Sequence, residues 1–426
     1  MTAQERHNAL CNIATETLWG FQTAMVMPTT VLTVLLTQLG ASEGMVGLIP
    51  SLDGLTLFMS VFGIYLFRSH KKRKFRIIIY HYLTIIPLLG LMGVLVLVHD
   101  YISPAILKYL LLGCWALFMG SIGIVVTSWI DWIAHLFRRE IRGTVTGVTW
   151  ACSNLSGIAG ALTAGWALRH YNNIATFGWL YLAACVFATL SITVFLAIRD
   201  PAVDLEEDLA PGLHEMIAAA RESLLDRAFR GLLIGRCLSL AGFCVGPFIA
   251  LHYLSPAGGA LSDGLVISMG AAQTVGTAIC CMLFGRIGDR IGHRFGMLVG
   301  IGFQLCCLLA VLLIHGPVGC FMAMLLSGCV GGTLLISYMN LVIESCPHQV
   351  RVAHLMIGNM IVGFAGLLFP VIGARIALNA GIPVLMEVSL ALSAVALVWS
   401  ILKVRDPRGP TTPVLDQLPL ASPHLR

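Results

Sequence analysis

The sequence predicts an all-α membrane protein with twelve transmembrane helices in two pseudo-symmetric six-helix bundles. Hydrophobic residues make up 58% of the 426 residues and charged residues only 11%, whereas a soluble domain carries about 25% charged residues. Apolar runs of about twenty residues, the length that crosses a bilayer, recur along the chain. Short sequence matches also recur in the same order in the two halves.

The apolar runs divide the chain into spans and connections. The first run is too long for a signal peptide, so we expect a retained helix. The predicted spans are 10–36, 44–67, 77–98, 105–130, 143–168, 177–198, 231–254, 264–285, 296–315, 318–343, 353–378 and 383–403. The expected regions are an N-terminal bundle (1–198), a cytoplasmic linker with an amphipathic helix (199–230), a C-terminal bundle (231–405) and a disordered cytoplasmic tail (406–426).

Basic residues predict the orientation. If the N-terminus is cytoplasmic, 22 of the 26 lysines and arginines lie in cytoplasmic segments and 3 on the opposite side, as the positive-inside rule requires. The basic stretch 68–76 is then a turn near acidic lipids and not a nucleic-acid site. We therefore expect both termini inside. Separately, we expect a monomer in a bacterial inner membrane, with an organelle membrane as the alternative. The bilayer is a partner and nucleic acid is not.

Three pairs of short segments match in order between the halves. They are ASEGMVG (41–47) with LSDGLVI (261–267), SWID (128–131) with SYMN (337–340), and IRDP (198–201) with VRDP (404–407). Parallel repeats of this kind describe one transporter architecture, in which the substrate site lies between the halves.

A charged, glycine-spaced stretch, FGRIGDRIGHRFG (284–296), separates two apolar runs in the second half. Its pattern resembles the cytoplasmic loop signature of the major facilitator superfamily, G-x-x-x-D-R-x-G-R/H-R/K. The matching residues are Gly285, Asp289, Arg290, Gly292, His293 and Arg294. The resemblance covers about residues 10–405 and implies that superfamily's fold and solute transport by alternating access.

The resemblance also implies a gate. Asp289 is expected to accept hydrogen bonds at the N-terminus of span five, near Gly143, and so to latch the cytoplasmic side. A charge cluster is expected to break and reform during transport, with Arg142 as a further gating candidate. Its members are Arg290, Arg294, Glu344 and Arg351. The alternative is a fixed topology anchor.

The sequence departs from the superfamily pattern in several places. The first half carries Phe67 where the aspartate would align, so its latch should be weaker or absent. There is no basic residue between Lys108 and Arg138, and SGIAGALTAG (156–165) lacks the G-P pair of drug–proton antiporters. These differences disfavour drug–proton exchange.

Ionisable residues inside spans are functional candidates because their burial in lipid is costly. The repeat places Glu16 in span one opposite Arg236 in span seven, and both spans line the cavity that the resemblance implies. The two side chains would pair directly or hold opposite ends of a substrate; the alternative is that both snorkel to the headgroups. Asp53 in span two is a candidate proton-binding group or, alternatively, a structural carboxyl.

Further polar and aromatic residues are candidates for the same cavity, although each also suits helix packing. They are Trp19, Gln22, Gln273, Tyr338, Asn340 and Asn359.

The substrate expected from these residues is a small, charged organic solute, carried with proton or gradient coupling. A metal ion or an iron chelate is an alternative cargo, and a non-transporting sensor or assembly protein is the rival class. The chain has no P-loop, serine elbow or zinc-spaced ligands, so we expect no enzyme, no cofactor and no resident metal.

Overall fold

Backbone polar groups in a bilayer must be satisfied within the protein, and helices achieve this within each segment. The computed structural model describes residues 1–66, 73–137, 139–199, 221, 223–345 and 351–406. Across these ranges the chain forms helices joined by turns, without strands. Most of the predicted linker, residues 200–220 and 222, and all of the predicted tail after residue 406 fall outside the described residues.

The helices form twelve spans in chain order. The N-terminal half contains span one (Ala3–Met25, Pro28–Leu32 and Thr33–Gln38), span two (Ile49–Leu66, after a short helix Glu43–Val46), span three (Arg73–Tyr80, His81–Ile85 and Ile86–Leu97), span four (Pro104–Leu136), span five (Arg139–Tyr171) and span six (Ile174–Leu196). The C-terminal half contains span seven (Arg227–Gly242 and Gly246–Leu254), span eight (Asp263–Ile291), span nine (His293–Leu313), span ten (Gly316–Glu344), span eleven (Arg351–Ala380) and span twelve (Ile382–Lys403).

Span five differs in composition from the others. In the described part of the chain, eleven of the predicted spans contain helices long and apolar enough to cross a membrane, and span five does not meet that standard. Its 33-residue helix is rich in small residues. Small residues allow neighbouring helices to approach closely. At Gly160, for example, the backbone of span one is so near that an added Cβ would lie 2.2 Å from the Phe21 carbonyl oxygen. Span five is therefore packed between span one and span eight.

The two halves repeat the same helix contact. Thr56 Oγ1 of span two donates to the Met119 carbonyl of span four at 3.2 Å, and Thr277 Oγ1 of span eight donates to the Gly328 carbonyl of span ten at 3.1 Å. Four residues after each acceptor stands a glycine, Gly123 or Gly332, that packs on the backbone of the same threonine. The duplicated units suggested by the sequence thus share one packing geometry.

Spans one and seven are both broken near the middle. Span one changes to a π-helical turn that begins at Pro28, and span seven is interrupted between Gly242 and Gly246, just before Pro247. Proline lacks the N–H that would continue the helical ladder and crowds the preceding turn. The breaks occur at positions that the repeat makes equivalent.

We call the end of the molecule that carries residues 1 and 406 the termini face and the opposite end the far face. At the far face the halves meet closely: Gln38 Nε2 donates to Asp263 Oδ2 at 2.6 Å, and Arg169 donates to Ser268. Deeper in the molecule, a Cβ at Gly54 of span two would lie 2.7 Å from the backbone of Gly366 in span eleven. These contacts close the far face.

Candidate functional site

Glu16 lies on span one, between the termini face and the break of that span. It is surrounded by protein atoms, yet its side chain is partly accessible. It forms neither a hydrogen bond nor an ion pair with any residue that the structure describes. One turn further along the helix, the Trp19 ring meets the edge of the His81 ring of span three, with centroids 5.8 Å apart. This part of the N-terminal half therefore presents a carboxyl group beside an aromatic wall.

Arg236 occupies the corresponding position on span seven. Its guanidinium carbon lies 5.5 Å from the centroid of the Tyr338 ring of span ten, in cation–π geometry. Its Nε is buried without a hydrogen-bond partner, and no carboxylate among the described residues acts on the group. Glu16 and Arg236 do not form an ion pair in this conformation. In the described part of the chain, the second half therefore holds a cation that is supported by an aromatic face and has no acidic partner.

The wall around Arg236 combines aromatic and small residues. A Cβ at Gly358 of span eleven would lie 3.4 Å from Tyr338 Oη and 3.6 Å from Phe229 Cζ, so the three residues are in close contact. Asn359 follows on the same helix and is half-buried. The Asn340 amide donates to the Ile336 carbonyl of its own helix at 2.8 Å, which leaves it less free to hydrogen-bond a ligand.

Gln22 and Gln273 have different environments. Gln22 is buried; its amide nitrogen donates to Thr23 Oγ1, and its Oε1 has no partner. Gln273 accepts from Thr29 Oγ1 of the other half at 3.3 Å. In this conformation Gln273 thus contributes to the contact between the halves.

Asp53 lies where spans two and four meet, next to the Gly54 contact with span eleven. The Trp115 indole stands beside its carboxyl group. However, Asp53 Oδ1 and Trp115 Nε1 are both buried without a hydrogen bond of standard geometry. The two groups are neighbours that do not complete a bond in this state.

The glycine-spaced motif packs against neighbouring side chains at the termini face. A Cβ at Gly288 would lie 2.2 Å from Nδ1 of His293, so only glycine fits there. Gly292 has φ +94 and faces the carboxylate of Asp406, which follows span twelve. These contacts give Gly288 and Gly292 a packing function, whereas a Cβ at Gly285 would have no atom within 4 Å.

Part of the expected charge cluster lies among the described side chains. Glu344 Oε1 lies 3.7 Å from Nε2 of His293, and Arg294 donates to the Ile401 carbonyl of span twelve at 2.7 Å. Arg290 is exposed. In this conformation Arg294 thus contacts the end of span twelve, and Glu344 lies beside His293. The side chains of Asp289, Arg142 and Arg351 lie outside the described part of the chain, so the latch itself stays a prediction.

His81 and Trp115 were missed by the sequence analysis although each contacts a candidate residue. His81 is a buried ionisable residue within span three, and the criterion that selected Glu16 would also have selected it. Trp115 carried no comparable signal, since its relation to Asp53 depends on how spans two and four pack.

Comparison with known proteins identifies the family. The family model of the Major Facilitator Superfamily matches residues 15–370 and 237–422. The chain belongs to the Major Facilitator Superfamily. It is similar to the multidrug resistance protein MdtG of Klebsiella pneumoniae (strain 342), at 22% identity over 290 residues, which cover 68% of this chain and 69% of that protein.

Solved structures of transporters share the fold. The nucleoside transporter NupG (D323A mutant) matches with a TM-score of 0.70 and 12% identity, over 93% of this chain and 100% of that one. A D-xylose–proton symporter matches with a TM-score of 0.70 and 13% identity, over 95% and 99% of the two chains. As a member of the superfamily, the protein is a multi-pass membrane transporter of a small solute.

Proposed function

We propose that this chain is a secondary active transporter that moves a small charged organic solute by alternating access, and that Arg236 binds an anionic group of that solute. The observation that carries the proposal is that Arg236 lies deep in the protein and has no acidic partner among the residues that the structure describes. An unpaired charge in such a place costs several kcal/mol. A carboxylate or phosphate of the solute would compensate it through paired N–H donors.

Glu16 supplies the opposite charge from the other half. It would bind a cationic group of the solute or a coupling proton, and Trp19 provides an aromatic surface beside it. The absence of an ion pair between Glu16 and Arg236 in this conformation favours bridging by the solute over direct pairing. The two groups move relative to each other when the halves rock, because they belong to different halves.

The closed far face supports an assignment of conformation. With both termini in the cytoplasm, as the basic residues predict, the far face is external and the structure is inward-facing. The coupling gradient would be that of the proton or of the solute itself. In this state the solute would be exchanged with the cytoplasm.

A thermal-shift screen of the purified chain tests the substrate class. The panel contains small carboxylates, phosphate esters, zwitterionic amino acids, organic cations and ferric chelates, each at several pH values. We expect stabilisation by compounds with an anionic group, and its loss in Arg236→Gln. Arg375→Gln removes an exposed arginine of the same half and should keep the response. Stabilisation by cations or chelates alone would contradict the proposal.

Uptake into proteoliposomes then tests transport itself. Glu16→Gln and Arg236→Gln should each abolish uptake of the compound found in the screen. If the double exchange Glu16→Arg with Arg236→Glu restored uptake, the two residues would pair directly, contrary to the bridging proposed here. Binding without flux would instead indicate a sensor on the transporter scaffold.

A further inference from the structure

Two histidines lie close together at the far face of the C-terminal half, away from the site described above. His252 is in the last turn of span seven, and His315 directly precedes span ten. Their ring centroids are 6.4 Å apart and their planes are inclined by 36°. A metal ion binds imidazole nitrogens at about 2.0–2.1 Å. A modest side-chain rotation of His315 would therefore bring both rings onto one ion.

The environments of the two rings differ in a way that suits a ligand. His252 is 7% exposed, and its Nε2 is buried without a hydrogen-bond partner. A buried polar nitrogen without a partner is costly and in native proteins often marks an absent water or ion. His315 is exposed, so an ion can reach the pair from the far face.

The segments that carry the two histidines are fixed to each other. Tyr253 Oη, next to His252, donates to the Ile314 carbonyl, next to His315, at 3.1 Å. A Cβ at Gly259 would lie 3.1 Å from the backbone of Gly316, so the two turns are also in contact. Rigid supports of this kind hold ligands in a geometry ready for binding.

We propose that His252 and His315 form a binding site for a divalent transition-metal ion such as Zn²⁺, with water in the remaining coordination positions. Imidazole is a preferred ligand of zinc, copper and nickel, whereas magnesium and calcium prefer oxygen. No cluster of three or more histidine, cysteine, aspartate or glutamate side chains with metal-binding geometry occurs among the described residues. The protein therefore contributes two ligands, and the ion exchanges readily.

Zn²⁺ titration of the purified full chain, freed of any histidine tag, tests the site. Isothermal titration calorimetry and thermal shift are followed with Zn²⁺ and, as the control ion, Mg²⁺. We expect Zn²⁺ to bind and to raise the melting temperature, and Mg²⁺ to do neither. His315→Ala, which alters an exposed turn, should weaken Zn²⁺ binding by about tenfold or more, and His315→Cys should largely retain it through the thiolate.

A matched control separates this pair from the other metal-binding side chains, which include 13 cysteines. His170→Ala removes another exposed far-face histidine, one that stacks on Trp166, and should leave Zn²⁺ affinity unchanged. Equal affinity in wild type and His315→Ala, or no Zn²⁺ binding by wild type, would overturn the proposal. Neither measurement uses a solute, so the result is independent of the proposed transport function.

Discussion

Lys74 of span three and Arg294 of span nine make equivalent contacts in the two halves. The Lys74 ammonium donates to the Leu196 and Ile198 carbonyls at the end of span six. Arg294 Nη2 donates to the Ile401 carbonyl near the end of span twelve, at 2.7 Å. The last carbonyls of a helix lack partners within the helix and carry partial negative charge. A cation from a neighbouring helix therefore caps the same helix end in both halves.

Removing either cap should destabilise the protein. We expect Lys74→Gln and Arg294→Gln each to cost about 0.5–1.5 kcal/mol, the net range for a hydrogen bond within a protein, since a cation at an accessible helix end contributes a similar amount. Thermal unfolding of the purified variants measures the loss. Arg290→Gln, which alters an exposed arginine of the same motif, should leave the melting temperature unchanged. A similar loss in all three variants would indicate a general charge effect instead of capping.

The contact between spans two and four should tolerate no side chain at Gly123. An added Cβ would lie 2.4 Å from the Thr56 carbonyl oxygen, and overpacking of this kind costs about 1–3 kcal/mol or more. Gly113, in the same helix, has no atom within 4 Å of its Cβ position. We expect Gly123→Ala to lower the melting temperature and Gly113→Ala to leave it unchanged or slightly higher. Equal effects would show that helix propensity, and not the contact, decides.

The polar contacts across the far face should bias the conformational equilibrium. Asp263→Ala removes the acceptor of Gln38 and leaves the outer ends of the halves less firmly joined. In a background without native cysteines, spin labels at positions 101 and 313, one in each half, report the separation of the halves by pulsed electron resonance. We expect Asp263→Ala to add a population with a longer distance.

Lys108→Gln is the control for that experiment, because Lys108 donates to the Gly40 carbonyl within its own half. It should leave the distance distribution unchanged. An unaltered distribution in Asp263→Ala would mean that the apolar packing of spans one and seven closes the far face without help from Asp263.

The sequence predicted the number of helices better than their shapes. Apolar length sufficed to find the spans, including span one, predicted as 10–36 and observed from Ala3 to Gln38. It did not predict the breaks in spans one and seven, because their apolar character continues through Pro28 and Pro247. Both breaks lie at or next to a proline, a local signal that apolar length does not take into account.

The sequence selected candidate residues one at a time, but it did not indicate which residues they contact. Glu16 and Arg236 were selected because a charge within a span is rare. The Tyr338 ring beside Arg236 comes from a distant segment, and so does the His293 ring beside Glu344. Such pairs depend on the rotation of each helix about its axis, which an apolar run leaves undetermined.

Asp53 provides the last prediction, which concerns coupling. Its carboxyl group lies beside the Trp115 indole without a completed hydrogen bond, and the next residue, Gly54, packs on the opposite half. A carboxyl group at the contact between the halves can link its protonation to their movement. If Asp53 binds the coupling proton, Asp53→Asn should make uptake of the solute independent of external pH.

Two further variants make that test specific. Trp115→Phe keeps the ring but removes the N–H donor, and it should shift the pH dependence without abolishing it. Glu387→Gln alters an exposed carboxyl group of span twelve and should leave the pH profile unchanged. If uptake by Asp53→Asn still rose with acidification as in wild type, Asp53 would have a structural function, and the coupling proton would bind elsewhere, with Glu16 as the next group to test.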